Sequence, residues 1–224
     1  MQIINKVLKE GRTTLTEYES KQVLASYNLP VTREELVSSM EDLLKAAAQI
    51  GYPLVIKGSS AEIAHKTEAG LIRVDVRNDE EATLAFREIN AAMNGAGDGA
   101  VLVQQMIKGQ RELVVGLTRD AQFGPCVMFG LGGIFTEVLK DTVFRVAPLE
   151  RQDALDMMQE IRANKILEET RGMTAVDKDL LADILMTVGK IGIENDRIKE
   201  IDINPLIISG GKPVAVDALV VLQP

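Results

Sequence analysis

The sequence predicts an α+β fold arranged as two lobes, and three observations predict it. Stretches with apolar residues at helical spacing alternate along the chain with short strand-like runs. Capping signatures open the helical stretches near the N-terminus, at Thr16, Ser38 and Asn78. The chain closes on two long runs joined by Gly210-Gly211, a strong two-residue hairpin signal.

Each element has a local reason. Thr16-Glu17-Tyr18-Glu19 reads as a capping box, and the helix it starts should stop before Pro30. Ser38 and Glu41 repeat the signature, and Met40, Leu43, Leu44 and Ala47 form one face of a helix ending at Gly51. Pro53 to Gly58 and the alternating Leu71 to Val76 read as strands. Asn78 and Glu81 open a third helix, with Ala82, Ala85, Phe86, Ile89 and Met93 on one side. Gly95 to Gly99 is a turn-rich loop. Strands follow at Ala100–Gln105, Glu112–Leu117, Cys126–Phe129 and Thr142–Val146, and helices at Arg151–Arg162 and Lys178–Ile193. The closing hairpin is Lys199–Ser209 with Lys212–Leu222. The expected division is a helical segment over 1–30, a first lobe over 31–103 and a second over 104–224.

Composition excludes several function classes. The 224 residues carry 25 Lys+Arg against 33 Asp+Glu, a net charge of −8, and 46% are hydrophobic. That is a soluble globular composition without the basic clusters that nucleic acid demands. No apolar run approaches the ~20 residues of a membrane span, and the start lacks a basic segment followed by an apolar one. Cys126 stands alone, so no internal disulfide forms, and one Cys with one His builds no zinc set. A reducing cytoplasm is the expected location. With no Trp and 4% aromatics, a base-stacking platform is not expected.

The richest chemistry lies in Ile198-Lys199-Glu200-Ile201-Asp202-Ile203-Asn204-Pro205. As a strand it puts Glu200, Asp202 and Asn204 on one face and Ile201 and Ile203 on the other. In the register that sets Ser209 opposite Lys212, Asn204 faces Asp217. Asp217 sits among Val214, Val216, Leu219 and Val220, where an unpartnered carboxylate is costly. A carboxylate, an amide oxygen and nearby acids suit Mg²⁺, a hard cation that takes few protein ligands. The competing reading is a solvated polar strand face, and Pro205 or Pro213 could add a bulge.

Other residues could hold an anion. Lys57 ends an apolar strand and could meet a phosphate as a point charge, although a single lysine is usually a surface one. Gly130-Leu131-Gly132-Gly133 follows a strand, and such glycines let backbone N–H groups approach phosphate; a tight turn explains them equally well. Arg145 could clamp a phosphate oxygen or form an ordinary ion pair. Glu112 could accept from ribose hydroxyls or stand exposed. His65, the only histidine, lies in a polar loop and could be base, ligand or nucleophile; on composition alone it is an incidental surface residue.

Taken in order, these segments resemble one family. Leu54-Val55-Ile56-Lys57, Ile63-Ala64-His65-Lys66-Thr67-Glu68-Ala69-Gly70, Val103-Gln104-Gln105-Met106-Ile107, Gly109-Gln110-Arg111-Glu112-Leu113, Phe129 to Glu137, and Glu200 to Leu206 resemble the nucleotide-binding subunit of ADP-forming acetyl-CoA synthetases. The resemblance runs from about residue 15 to the end of the chain. It implies the ATP-grasp fold, in which two α+β lobes clasp a nucleotide.

The resemblance also implies roles. Lys57 contacts the nucleotide phosphates. Gln104, Gln105, Met106 and Ile107 form the hinge that holds adenine, and Glu112 takes the ribose. Gly132, Gly133 and Arg145 lie near the phosphates. Asn204 and Asp217 bind Mg²⁺, and Asp202 with Glu200 orients the histidine that carries phosphate. His65 takes a phosphoryl group from a phosphohistidine on a CoA-binding α subunit and delivers it to ADP, within an α2β2 assembly. Two positions depart from the family pattern: Gln105 where many relatives have Glu, and Leu71 where a second glycine is common. The rival readings are a succinyl-CoA synthetase-like β subunit, which His65-Lys66-Thr67 disfavours, and a non-catalytic nucleotide-sensing domain.

Overall fold

A computed structural model describes residues 2–59, 70–93, 100–133, 141–170 and 172–223. The chain divides into two compact units, one of Met1–Val31 with Ile107–Pro224 and one of Thr32–Met106. The first opens with helices α1 (Gln2–Lys9) and α2 (Glu17–Ser26). The predicted capping box starts α2: Thr16 Oγ1 accepts the Glu19 N–H at 3.2 Å, and Glu19 Oε2 accepts the Thr16 N–H at 2.9 Å. α1 falls within the helical segment expected over residues 1–30, and it buries only Ile4 and Val7.

The Thr32–Met106 unit holds β1 (Glu34–Val37), α3 (Met40–Ile50), β2 (Leu54–Ser59), β3 (Ile72–Val76), α4 (Asp79–Ala92) and β4 (Ala100–Gln105). Its strands pair antiparallel in the order β1-β4-β2-β3. Leu54, Ile56, Val101 and Val103 share a buried cluster with Leu43, Ala47, Phe86 and Ile89 of the two helices. Ser39, not Ser38, caps α3; its backbone is extended and its side chain accepts from the Asp42 N–H at 3.1 Å. Two serines in sequence leave the frame ambiguous by one residue, and the backbone conformation decides it. Asn78 caps α4 as predicted, accepting the Glu81 N–H at 2.9 Å. The loop at Gly95–Gly99 lies outside the described residues.

The other unit continues with β5 (Arg111–Asp120), β6 (Gly124–Leu131), β7 (Thr142–Val146), α5 (Arg151–Glu160), a 3₁₀ turn (Asn164–Leu167), α6 (Lys178–Glu194), β8 (Ile198–Ser209), β9 (Lys212–Ala215) and β10 (Leu219–Leu222). The sheet runs β10-β8-β5-β6-β7, with β9 also on β8. Leu117, Val127 and Ile201 face the buried cluster that includes Met157, Leu181, Leu185 and Val188. Cutting one of these leucines to alanine costs about 2–5 kcal/mol. Arg119 ties α6 to β8 by donating to Gly192 O at 2.6 Å and Ile198 O at 3.0 Å.

The hairpin has the predicted register, Ser209 opposite Lys212 and Leu206 opposite Ala215. Gly210 and Gly211 both take positive φ, as a two-residue turn of this type requires. Pairing then breaks over 216–218 and resumes with Leu219 opposite Asp202. Against β5 the register shifts: Leu113 faces Leu206 while Val115 faces Ile203. Asn204 and Pro205 therefore share the place opposite Val114, a bulge. It reverses the alternation of β8, whose core residues are Ile201 and Ile203 before it and Leu206 and Ile208 after it.

Residues 13–31 run beside β9 and β10. The Leu222 N–H donates to Thr13 O at 2.6 Å, the Leu15 N–H to Val220 O at 3.0 Å and the Ala215 N–H to Pro30 O at 2.9 Å. These bonds satisfy backbone groups that an edge would otherwise leave open.

Candidate functional site

The face of the six-stranded sheet away from its helices carries Glu200, Asp202 and Asn204. Register sets Phe144 beside Met128, Met128 beside Gly116 and Gly116 beside Asp202, one row across four strands. Gly116, Met128, Phe144, Glu200, Asp202 and Asn204 help to line a pocket of about 210 Å³ on that face. A Cβ at Gly116 would come within 3.1 Å of both Met128 Cε and Ile201 O, so glycine keeps its floor open. The sequence analysis passed over Gly116, although a glycine inside the apolar strand Leu113–Leu117 is the signal of a close approach.

The acids on this face interact. Burial, then Glu200, then Asp217 push the Asp202 carboxyl up to about 6. Asp217 lies in the 216–218 break, and the register on both sides of the break sets it across from Asn204. The Asn204 side-chain oxygen accepts the Gly133 N–H at 3.2 Å. The Gly132 N–H donates to Glu112 O at 2.9 Å, and any side chain at Gly133 would collide with the Glu112 carboxylate. Gly133 also has φ +63°, which glycine adopts at little cost. Buried Arg111, next to Glu112, donates to Ile166 O at 3.0 Å and so anchors the start of β5.

Register spreads these groups along the sheet: Glu112, with Gly132 and Gly133 beside it, lies opposite Ile207, whereas Asp202 lies opposite Gly116 and Glu200 opposite Thr118. The donors are hard oxygens, and burial with Glu200 and Asp217 nearby disfavours a charged Asp202, a cost that a dication relieves. Among the described residues no three acidic, His or Cys side chains converge into a closed cage.

Arg145 lies on the other face of the sheet. It pairs with Val127, whose row continues to Leu117 and Ile201 on the helix-packed face, whereas its neighbour Phe144 lies on the pocket face. Its guanidinium is bonded to Glu160 of α5, which holds it still more firmly protonated. A strand alternates by residue, so a shift of one position separates a phosphate clamp from an ion pair on the far side.

Lys57 and Gln104 belong to the four-stranded sheet. Lys57 faces Leu102 and Gln104 faces Val55, so both leave the face opposite Ile56 and Val103. Both are buried, at 3% and 0% exposure. Lys57 is the fourth of six strand residues rather than the last. In the hinge segment the Gln105 N–H donates to Arg33 O at 2.8 Å and the Met106 N–H to Pro53 O at 3.2 Å. Those two amides are already used within their own unit. His65 lies outside the described residues.

A family model described as an ATP-grasp domain matches residues 6–222. The chain is 45% identical over 225 residues to the acetate–CoA ligase [ADP-forming] I subunit beta of Pyrococcus furiosus, covering 99% of this chain and 97% of the relative. Among solved structures, it is similar to the dinucleotide-forming acetyl-coenzyme A synthetase 1 of Ca. Korarchaeum cryptofilum bound to coenzyme A, Ca-AMPCP and HgCl⁺. The TM-score is 0.95 at 41% identity, over 99% of each chain. A second structure of that protein holds coenzyme A and Mg-AMPPCP, with a phosphohistidine segment pointing towards the nucleotide-binding site. There the TM-score is 0.89 at 40% identity, again over 99% of each chain.

Proposed function

The chain belongs to the ATP-grasp family and, within it, to the β subunits of ADP-forming acetate–CoA ligases, and from that premise we propose its function. It is the nucleotide-binding subunit of an ADP-forming acyl-CoA synthetase, an acid–thiol ligase that makes ATP from acyl-CoA, ADP and phosphate and releases acid and CoA. The end-to-end match to a β subunit carries this reading.

The residues take the following parts. Lys57 meets the phosphates as a buried ammonium, a strong electrostatic partner away from water. Gln104 to Ile107 hold the adenine, with Ile107 as the main-chain donor, and Glu112 takes the ribose hydroxyls. Gly132 and Gly133 bring backbone close to phosphate oxygens. Asn204 and Asp217 hold Mg²⁺. Magnesium, when bound, offsets charge on the nucleotide oxygens. His65 receives the phosphoryl group from the partner's phosphohistidine and passes it to the terminal oxygen of ADP. Asp202, with Glu200, holds the N–H of the histidine that carries phosphate, so that the other ring nitrogen forms and breaks the bond to phosphorus. Phosphoryl transfer is mostly positioning and charge neutralisation, and a histidine relay divides one long move into two in-line steps.

The partner is a CoA-binding α subunit in an α2β2 heterotetramer, and the reaction takes place in the cytoplasm. Among the described residues no helix is long and apolar enough to cross a membrane. His65→Ala should abolish ATP formation while acyl phosphate still phosphorylates the partner. Continued ATP synthesis at the parent rate refutes the relay. Stoichiometric phosphate on His65, read by mass spectrometry, separates the enzyme from a nucleotide sensor, which would carry none.

A further inference from the structure

The 216–218 break that presents Asp217 is held from behind by α2. Lys21 is completely buried, and its ammonium is paired with Glu17 Oε1 at 2.8 Å, one turn earlier on the helix. The same ammonium donates to Val216 O at 3.1 Å, the carbonyl directly before Asp217. Next to it, Ser20 Oγ accepts the Val220 N–H at 3.0 Å and donates to Thr16 O at 2.8 Å. Main-chain bonds close the two ends, Ala215 N–H to Pro30 O at 2.9 Å and Leu15 N–H to Val220 O at 3.0 Å.

A buried helix face needs only apolar side chains to pack, and burying an ammonium is costly. Here the ammonium and the hydroxyl meet backbone groups on either side of Asp217, where the ladder between β8 and its hairpin partner is interrupted. We propose that Lys21 and Ser20 are positioning residues for Asp217: they set where its carboxylate stands and so tune affinity for the metal–nucleotide complex. The proposal rests on the reading that Asp217 is a metal ligand. Groups that fix a ligand in this way typically change metal affinity by about 10–100-fold when lost.

The test uses the full chain with Mn²⁺ and ADP as probes, titrated by the Mn²⁺ spin-resonance signal, with ADP binding in EDTA measured in parallel. Asp217→Asn should weaken Mn²⁺·ADP binding by about 100-fold. The Glu17→Gln/Lys21→Met pair removes both buried charges together and should weaken it by about 10-fold or more, with metal-free ADP binding unchanged. Ser20→Ala should weaken it by about 3-fold, a smaller loss because one neutral hydrogen bond disappears. If Asp217→Asn leaves Mn²⁺ affinity at the parent value, the metal-ligand reading falls, and the proposal with it. If Asp217→Asn weakens binding but the double variant melts cooperatively and binds Mn²⁺·ADP like the parent, the positioning role alone is wrong. Should the double variant not fold, Ser20→Ala decides, and parent affinity there overturns the proposal.

Discussion

The two sheets place opposite charges on equivalent faces. Each packs one face on helices, Ile56 and Val103 in the four-stranded sheet, Leu117 and Ile201 in the six-stranded one. On the other face the four-stranded sheet carries the ammonium of Lys57 and the amide of Gln104, both buried. The six-stranded sheet carries Glu200, Asp202 and Asn204 around an open pocket. The contrast teaches that the informative residues are polar ones inside strands whose neighbours are apolar. Lys57 and Gln104 are buried and Asp202 and Asn204 half-buried, which makes them costly without a ligand or partner, whereas Glu200 is exposed.

That contrast can be broken experimentally. Asp217→Asn should have the largest effect, about a 100-fold loss in kcat/KM for Mg-ADP in the assembled enzyme, with the melting temperature little changed. Lys57→Met should raise the dissociation constant for ADP by about 10-fold, and equally with or without metal, because its ammonium answers phosphate and not the ion. If Lys57→Met acts only when metal is present, the division of labour between the sheets is wrong.

Asp202→Asn should stabilise the metal-free protein at pH 7 by about 1–3 kcal/mol. The sign follows from its raised carboxyl, which sits at about 6 in the fold. In the unfolded chain the group ionises at the ordinary carboxylate pH, so the fold disfavours the charged form. Its stability is intact below that pH and is lost as pH rises through about 6. The gap in melting temperature between variant and parent should therefore close as pH falls from neutral to the ordinary carboxylate pH. A gap that stays constant means that Asp202 is not strained by its neighbours.

Arg145→Met should do least. Its ion pair with Glu160 is partly exposed and worth about 0.5–1 kcal/mol, and the KM for ADP should change by less than about 2-fold. A tenfold rise in KM would return Arg145 to the phosphate site.

Local chemistry made much of the fold legible. Thr16 and Asn78 cap helices because their side chains satisfy amides only three residues away. The Gly210-Gly211 turn sets the hairpin register because both residues must take positive φ. The polar face of β8 was legible too, since Glu200, Asp202 and Asn204 alternate with isoleucines. Less was visible where strands carry no contrast. Glu34–Val37 has two acids and no alternation, so β1 is recognised only by its pairing with β4.

By itself, the sequence determined the fold class, the caps at Thr16 and Asn78, the hairpin register and the family, all of which rest on neighbours in the chain or on ordered motifs. Only tertiary structure decided that residues 1–31 pack with the unit that ends the chain, that Asn204 and Pro205 form a bulge, that Arg145 turns from the pocket while Phe144 enters it, and that Lys21 is buried behind Asp217. Each of these depends on which distant strand lies alongside and in what register, and a shift of one residue carries a side chain to the other face.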